Sequence, residues 1–423
     1  MSRGKALRAA LAALVAAGVA TATAYAAGTF REGDVRVLHQ WEGATPGAFY
    51  AWAVSALGDT QAKHGADIIV GEPFNGSDGG TGSAHVYESR NGRQLYRFDG
   101  GPGDWLGFAV ADAGDVNGDQ GNDILVGAPA NGPGHVDLYS GRNGKLLHRF
   151  VGEEAGDFFG WAVSSAGDVD RDGGPDILVG ASALANPARP GLAYVYSGRT
   201  YGLIRRLTGD VAGDQFGSGV GWMPDVNNDG VPDQIVGARD AGDGDRGKVY
   251  VYSGKTGERL YPVNATAQGG QFGSFFVAGL GDVNHDGIPD FYASDYADGT
   301  NGANAGRAAV YSGRDGSELH AWLGSGPDAG LGPGRGAGDV NGDGIPDVIV
   351  GSYTSSDGGE QAGKAEVFSG ADGSVLRTIT STTPFENFGF DAVGLGDTNG
   401  DGLPDLLVSA ANRDRLYLIA GTS

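Results

Sequence analysis

The chain has 423 residues, among them 80 glycines, 17 prolines and no cysteine, and 40% of its residues are apolar. That composition excludes disulfides, thiol nucleophiles and thiolate metal sites, and it carries too much apolar material for a disordered chain. A formal net charge of −23 makes nucleic acid and anionic membrane surfaces poor partners. What remains is an all-β, turn-rich protein.

Residues 1–26 combine a basic start (Arg3, Lys5, Arg8), an apolar centre from Ala9 to Ala20, and Ala24-Tyr25-Ala26 as a small-x-small cleavage site. This is the pattern of a secretory signal peptide, alanine-rich in the bacterial manner. The apolar centre is too short to cross roughly 30 Å of hydrocarbon as a helix. The expectation is a secreted or periplasmic protein without a membrane span, whose mature chain, 27–423, carries −26 once the three leader cations are removed. Asn75-Gly76-Ser77 and Asn264-Ala265-Thr266 match glycosylation acceptors, unused in a bacterial host.

From Asp34 to Gly43 the residues alternate as in a strand and resemble Gly144 to Gly152 much further on. Seven repeats follow, marked by Asp59, Asp115, Asp168, Asp225, Asp282, Asp339 and Asp397 at spacings of 56, 53, 57, 57, 57 and 58 residues. In the fourth, Phe216 to Val220 reads as strand A, Gln234 to Gly237 as an apolar strand B, Lys248 to Tyr252 as strand C and Glu258 to Pro262 as strand D. Four short strands per repeat of this length predict a β-propeller blade. The seventh repeat stops after its strand C, so the orphan strand at 35–41 is expected to complete the last blade and close a seven-bladed ring.

Between strands A and B lies an acidic loop. In Asp339-Val340-Asn341-Gly342-Asp343-Gly344-Ile345-Pro346-Asp347 the oxygen-bearing positions 1, 3, 5 and 9, with the carbonyl of position 7, suit one hard cation, Ca²⁺. An apolar run follows where an EF-hand would place an exiting helix and a bidentate Glu, so the loop is not an EF-hand. The same set recurs as Asp168/Asp170/Asp172/Gly174/Asp176, Asp225/Asn227/Asp229/Val231/Asp233, Asp282/Asn284/Asp286/Ile288/Asp290 and Asp397/Asn399/Asp401/Leu403/Asp405. The second repeat, Asp115/Asn117/Asp119/Gly121/Asp123, has Gln120 where the turn glycine belongs and is expected to bind more weakly. The first, with Asp59, Gln61, Lys63 and Asp67, has lost the set; the Lys63 ammonium is expected to stand in for the ion. The total is about six Ca²⁺ sites.

Phe-Gly at the head of strand A, Gly-Asp-x-Asn-x-Asp-Gly-x-x-Asp in the loop, and Val126-Gly127-Ala128-Pro129 after strand B resemble the FG-GAP repeat of integrin α-chain propellers. Secreted bacterial proteins and the propeller of glycosylphosphatidylinositol-specific phospholipase D look similar. The resemblance spans essentially the whole mature chain. It implies a seven-bladed propeller binding Ca²⁺ on one face and serving adhesion or ligand recognition. These 423 residues add no further extracellular domain or transmembrane helix to the repeats, and the expectation is therefore not a signalling receptor.

Antiparallel strands put the acidic A–B loops on one face and the B–C and D–A loops on the other. The long loops Glu72–Ser83, Ser182–Gly191, Ala238–Gly247, Ser294–Gly306 and Ser352–Gly363 share that second face, where recognition usually sits. The residue after the Phe-Gly glycine is Trp52, Phe108, Trp161 and Phe390 in blades 1, 2, 3 and 7, against Ser218, Ser274 and Pro333 in blades 4 to 6. Those four aromatics are expected to neighbour one another near the axis, either as a crescent gripping a sugar or peptide or as inter-blade core. His39, His148 and His320 share one position of strand D, where other copies have Tyr96, Tyr261 or Arg377, and His285 is a loop residue, so the histidines point to no catalytic set. The expectation is a monomeric binding or adhesion module for an extracellular protein or glycan; the alternative is a polysaccharide lyase or phospholipase-D-like hydrolase on the same scaffold.

Overall fold

Each repeat folds as one antiparallel sheet whose strands follow chain order from the axis outward. The structure is a computed structural model that describes residues 29–61, 65–76 and 80–422. In blade 4, strand A is Phe216–Met223, B is Asp233–Ala238, C is Lys248–Tyr252 and D is Arg259–Asn264. Every residue of strand B is buried, because the sheet faces of both neighbouring blades cover it. Strand D has one buried residue, Val263, among exposed and half-buried ones, as suits the outer edge of a blade.

Seven such four-stranded sheets are present, and their innermost strands neighbour one another in sequence around the whole ring, blade 7 returning to blade 1. The propeller is therefore closed. Its last sheet takes its outer strand from the start of the chain: Val37–Glu42 pairs antiparallel with Arg415–Ile419, His39 opposite Leu418 and Glu42 opposite Arg415. The closing strand starts two residues later than the 35–41 read from sequence. Just before it, residues 29–32 clasp the neighbouring blade 6, a contact that the repeat pattern does not reveal. Arg31 N–H donates to the Thr380 carbonyl at 2.9 Å, Thr382 N–H to that of Thr29 at 2.9 Å, and Phe30 packs edge-on against Phe388 and Tyr417. The signal-peptide reading of 1–26 falls outside the described residues.

The two glycine motifs of the repeat meet between blades. Gly217 of the Phe-Gly pair in blade 4 has φ +83°, and its carbonyl lies where a Cβ on Gly180 of blade 3 would come within 2.2 Å. Gly127 against Gly160, Gly237 against Gly273 and Gly351 against Gly389 repeat the contact. Only glycine permits this approach, which brings strand B of one blade against strand A of the next.

Candidate metal loops and the axial cavity

All six intact acidic loops follow one path. In the loop beginning at Asp339, its carboxylate accepts the N–H groups of Gly342 (2.7 Å), Asp343 (3.1 Å) and Gly344 (2.9 Å). Asn341 Oδ1 accepts Asp343 N–H and Asp343 Oδ1 accepts Ile345 N–H. The other five copies keep both of the latter bonds. At position 3, a side-chain oxygen of Asn117, Asp170, Asn227, Asn284 and Asn399 accepts the N–H of Asp119, Asp172, Asp229, Asp286 and Asp401 respectively, at 2.9–3.0 Å. Those position-5 carboxylates accept in turn the N–H of Gly121, Gly174, Val231, Ile288 and Leu403, at 2.9–3.1 Å. Position 7 is thus held through its N–H at the base of the loop, where Gly121, Gly174, Val231 and Ile288 are buried and Ile345 and Leu403 half-buried.

The fourth and sixth positions are left-handed in every copy, which explains the sixth-position glycines and shows that Gln120, at φ +70°, follows the same turn at a steric cost of about 1–2 kcal/mol. Position 4 carries the same demand without a glycine at Arg171, Asn228 and His285, a constraint that sequence reading missed.

The ninth-position aspartate is fully buried and serves as a knot. Asp347 accepts Val340 N–H at 2.8 Å with one oxygen and Gly370 N–H, from the C–D turn, at 3.0 Å with the other. Asp123, Asp176, Asp233, Asp290 and Asp405 accept the corresponding turn glycine at 2.9–3.1 Å. Burial pushes the Asp123 carboxyl up to about 7 and those of Asp176 and Asp233 up to about 6; Asp290 and Asp347 are raised for the same reason. A bound cation would oppose that shift by favouring the ionised form.

Asp168, Asp170 and Asp176 each offer an oxygen within 4.8 Å of the others, a spacing that fits one hard cation. Among the described residues no other three His, Cys, Asp or Glu side chains converge so closely. Six equivalent sites are expected from the residues, but the carboxylates gather at this spacing in the third repeat alone. The triad requires a carboxylate at position 3, where that repeat has Asp170 and the other five have asparagine. There the amide supplies a donor as well as an acceptor: Asn117 and Asn399 give Nδ2 to Asp123 and Asp405 at 2.9 and 3.0 Å, and Asn284 and Asn341 give theirs to Asp286 and Asp343 at 3.4 and 2.9 Å. Bases on the C–D turns, also missed, reach position 5: Arg314 pairs with Asp286 at 3.0 Å and Arg199 with Asp172 at 3.3 Å. In blade 1, Asp67 accepts Thr60 N–H at 3.2 Å and also bonds the Thr60 hydroxyl, its carboxyl pushed by burial to about 6. Lys63 lies outside the described residues.

The innermost strands enclose a cavity of about 420 Å³ on the propeller axis. One end is stopped by aromatic rings. Trp52 lies 5.0 Å from Phe390 and 5.5 Å from Phe108, and Phe108 lies 4.6 Å from Trp161. Phe275 of blade 5 reaches across to Trp161 (5.4 Å) and Phe108 (6.2 Å), and Tyr353 packs edge-on to Phe390. Contact between blades as far apart as 2 and 5 closes the axis at this level, at the start of strand A. Towards the acidic loops the lining changes to half-buried Ser55 and Ser164, and to Trp222, which is 40% exposed. That end is the mouth. In the wall, Arg335 of blade 6 pairs with Asp391 of blade 7 at 2.6 Å, and both also bind the backbone of Val54 in blade 1.

Residues 339–408 match the family described as FG-GAP-like repeat. That stretch of the chain is an FG-GAP-like repeat. It is 32% identical over 231 residues to integrin alpha-8 of Gallus gallus (52% of this chain, 22% of that protein). Integrin alpha-8 of Homo sapiens matches at 33% over 223 residues (50% and 21%), and integrin alpha-5 of Xenopus laevis at 28% over 228 (49% and 21%). The chain thus spans about a fifth of the length of these curated relatives. A crystal structure of BBS1N in complex with ARL6DN, soaked with mercury, resembles it with a TM-score of 0.59, covering 92% of this chain and 97% of that one at 9% identity, a likeness of fold alone.

In this propeller the four crescent aromatics are neighbours, and Trp52, Phe108 and Trp161 are 8%, 2% and 1% exposed. They belong to a core cluster that also takes in Trp105 and Phe158, and they line the floor of the cavity. The strand-D histidines sit in separate blades. His39 and His320 pack over the turn glycines Gly92 and Gly373 of the next blade, and His148 stacks on Tyr201 at 4.6 Å. Trp41 and Trp322 use the same seam, donating to the Gly92 and Gly373 carbonyls at 3.0 and 2.8 Å.

Proposed function

We propose that this FG-GAP propeller is an exported, Ca²⁺-stabilised binding module of the adhesion type, which takes an extracellular protein or glycan on the face opposite the acidic loops. The observation that supports the reading is the shared path of six loops, each carrying oxygen-bearing side chains at the same positions on one side of the ring. Asp115, Asn117, Asp119 and Asp123, and their counterparts in the five later loops, would hold the ions. The carbonyls of Gly121, Gly174, Val231, Ile288, Ile345 and Leu403 would complete the sets. The ion supplies charge neutralisation between strands A and B. The chain supplies the rest: the ninth aspartate ties each loop to its C–D turn, so an ordered loop steadies the outer half of the blade as well. The long B–C loops stand on this frame and present the recognition surface. Similarity to integrin α chains supports an adhesion role, and the leader pattern of residues 1–26 supports export.

At a Ca²⁺ concentration ten times the dissociation constant each site adds about 1.4 kcal/mol, so six add about 8 kcal/mol, comparable to the net stability of a domain. Excess EDTA should therefore lower the thermal midpoint by about ten degrees, and Ca²⁺ readdition should restore it. A melt unchanged by EDTA refutes the calcium reading. Protein and glycan arrays probed with the Ca²⁺-loaded chain test the ligand reading; binding that survives replacement of the 238–247 and 352–363 loops with short Gly-Ser linkers counts against the opposite face.

A further inference from the structure

We infer that the axial cavity is a binding site for a compact, flat, uncharged aromatic molecule bearing a hydrogen-bond acceptor, admitted from the face of the metal loops. Its volume of about 420 Å³ falls within the range of small-molecule sites. The floor is made of ring faces and edges at tilted angles, which favour a planar partner. The walls are mostly apolar strand residues, unsuited to a sugar, whose hydroxyls would lose water without gaining partners.

Charge in the wall is already matched. Arg335 is neutralised by Asp391, and Asp112 accepts N–H groups from Gly58 (2.9 Å), Gly114 (2.8 Å) and Asn122 Nδ2 (2.8 Å). An ionic ligand would be desolvated with no counter-charge to meet, so the occupant is neutral. One polar group is unmatched. Trp161, 1% exposed and part of the cavity lining, has an indole Nε1–H with no acceptor in the protein. Buried donors are rarely left so; the nitrogen has almost no accessible surface, so a ligand oxygen would satisfy it once the indole turns toward the cavity. The site is independent of the macromolecular ligand proposed above, because the aromatic layer separates the cavity from the opposite face.

The test uses the Ca²⁺-loaded full chain and the neutral, solvatochromic probe 6-propionyl-2-(dimethylamino)naphthalene, whose carbonyl is the acceptor. Saturable, one-to-one, blue-shifted emission is expected. Trp161→Phe, which keeps the ring and removes the donor, should weaken binding about three- to tenfold. The same substitution should leave 2-(dimethylamino)naphthalene, which lacks the carbonyl, unaffected. Ala278→Trp, filling the cavity from blade 5, should abolish binding of both, with far-UV circular dichroism unchanged; Ser164→Trp replaces it should that variant fail to fold. No saturable shift with the unaltered protein, or full binding by a folded cavity-filled variant, overturns the site. Equal weakening of both probes by Trp161→Phe overturns the assigned hydrogen bond. Loss of protein or glycan binding at the loop face bears on neither result.

Discussion

Substituting Asp391 by alanine tests how the ring is held where the two ends of the chain meet. The carboxylate is 4% exposed, its partner Arg335 is 26% exposed, and the two lie 2.6 Å apart across the blade 6–7 boundary. Its second oxygen accepts Val54 N–H at 3.0 Å, extending the link into blade 1. Asp391→Ala leaves a largely buried guanidinium without its counter-charge, a loss of about 3–5 kcal/mol, and also leaves the Val54 N–H without an acceptor. Such a loss lowers the folded-to-unfolded ratio by two to nearly four powers of ten. The control is the pair Arg335→Met with Asp391→Leu, which removes both charges and retains only the unsatisfied N–H, for about 1–3 kcal/mol. Urea unfolding at fixed Ca²⁺, followed by tryptophan fluorescence and circular dichroism, measures both. A single substitution costing under about 1 kcal/mol, or costing no more than the double, would refute the claim that this pair bonds three blades together.

Two further outcomes follow from the geometry. In calcium-free buffer the thermal midpoint should fall as pH rises from about 4 to about 7, because burial raises Asp67, Asp176, Asp233 and Asp295 to about 6 and Asp123 to about 7, so the folded chain binds more protons than the unfolded one. Stability from these groups is fully present below the unfolded carboxylate value and is lost as pH passes the folded values; on the calcium reading proposed above, saturating Ca²⁺ should bind the deprotonated loops and flatten or reverse the slope, and a rising midpoint without metal would contradict the assignment. Gly217→Ala forces a Cβ at φ +83° to within 2.3 Å of the Leu192 carbonyl oxygen, whereas Gly213→Ala at φ +91° meets nothing nearer than the Pro187 carbonyl oxygen at 3.8 Å. The first should cost about 2–5 kcal/mol and the second about 1–2 kcal/mol in the same urea assay, and equal costs would show that close packing between blades is not what selects the glycine.

Much of the fold was legible because the chain states the same local problem seven times. Strand B is buried throughout in every full copy, strand C is rich in β-formers, and a missing final strand had one candidate replacement, which the ring uses. The acidic loops were legible for the same reason: their turns are closed by side chains two to five residues away. How closely the carboxylates of each loop approach was not, because an aspartate or an asparagine at position 3 serves the same turn and only the folded loop shows which oxygens converge. The clasp at residues 29–32 was not legible either, since it matches no repeat. The axial layer was only half legible. Trp52, Phe108, Trp161 and Phe390 share a register and were found together, while Phe275, one place beyond that register, and Tyr296 and Tyr353, which follow strand B, complete the layer from blades where the register holds serine or proline. Arg335 and Asp391 carried no signal at all, each being unlike its counterparts in the other blades.

Sequence alone determined the number of blades, the strand order within each and the face that carries the acids, because these rest on contacts inside one repeat that any copy can reveal. Tertiary structure decided where the axis is blocked, which charges meet across the seam and which indole N–H is left without a partner. Those depend on side chains from blades far apart in the chain, brought within a few ångströms only when the ring closes, so no period in the residues records them.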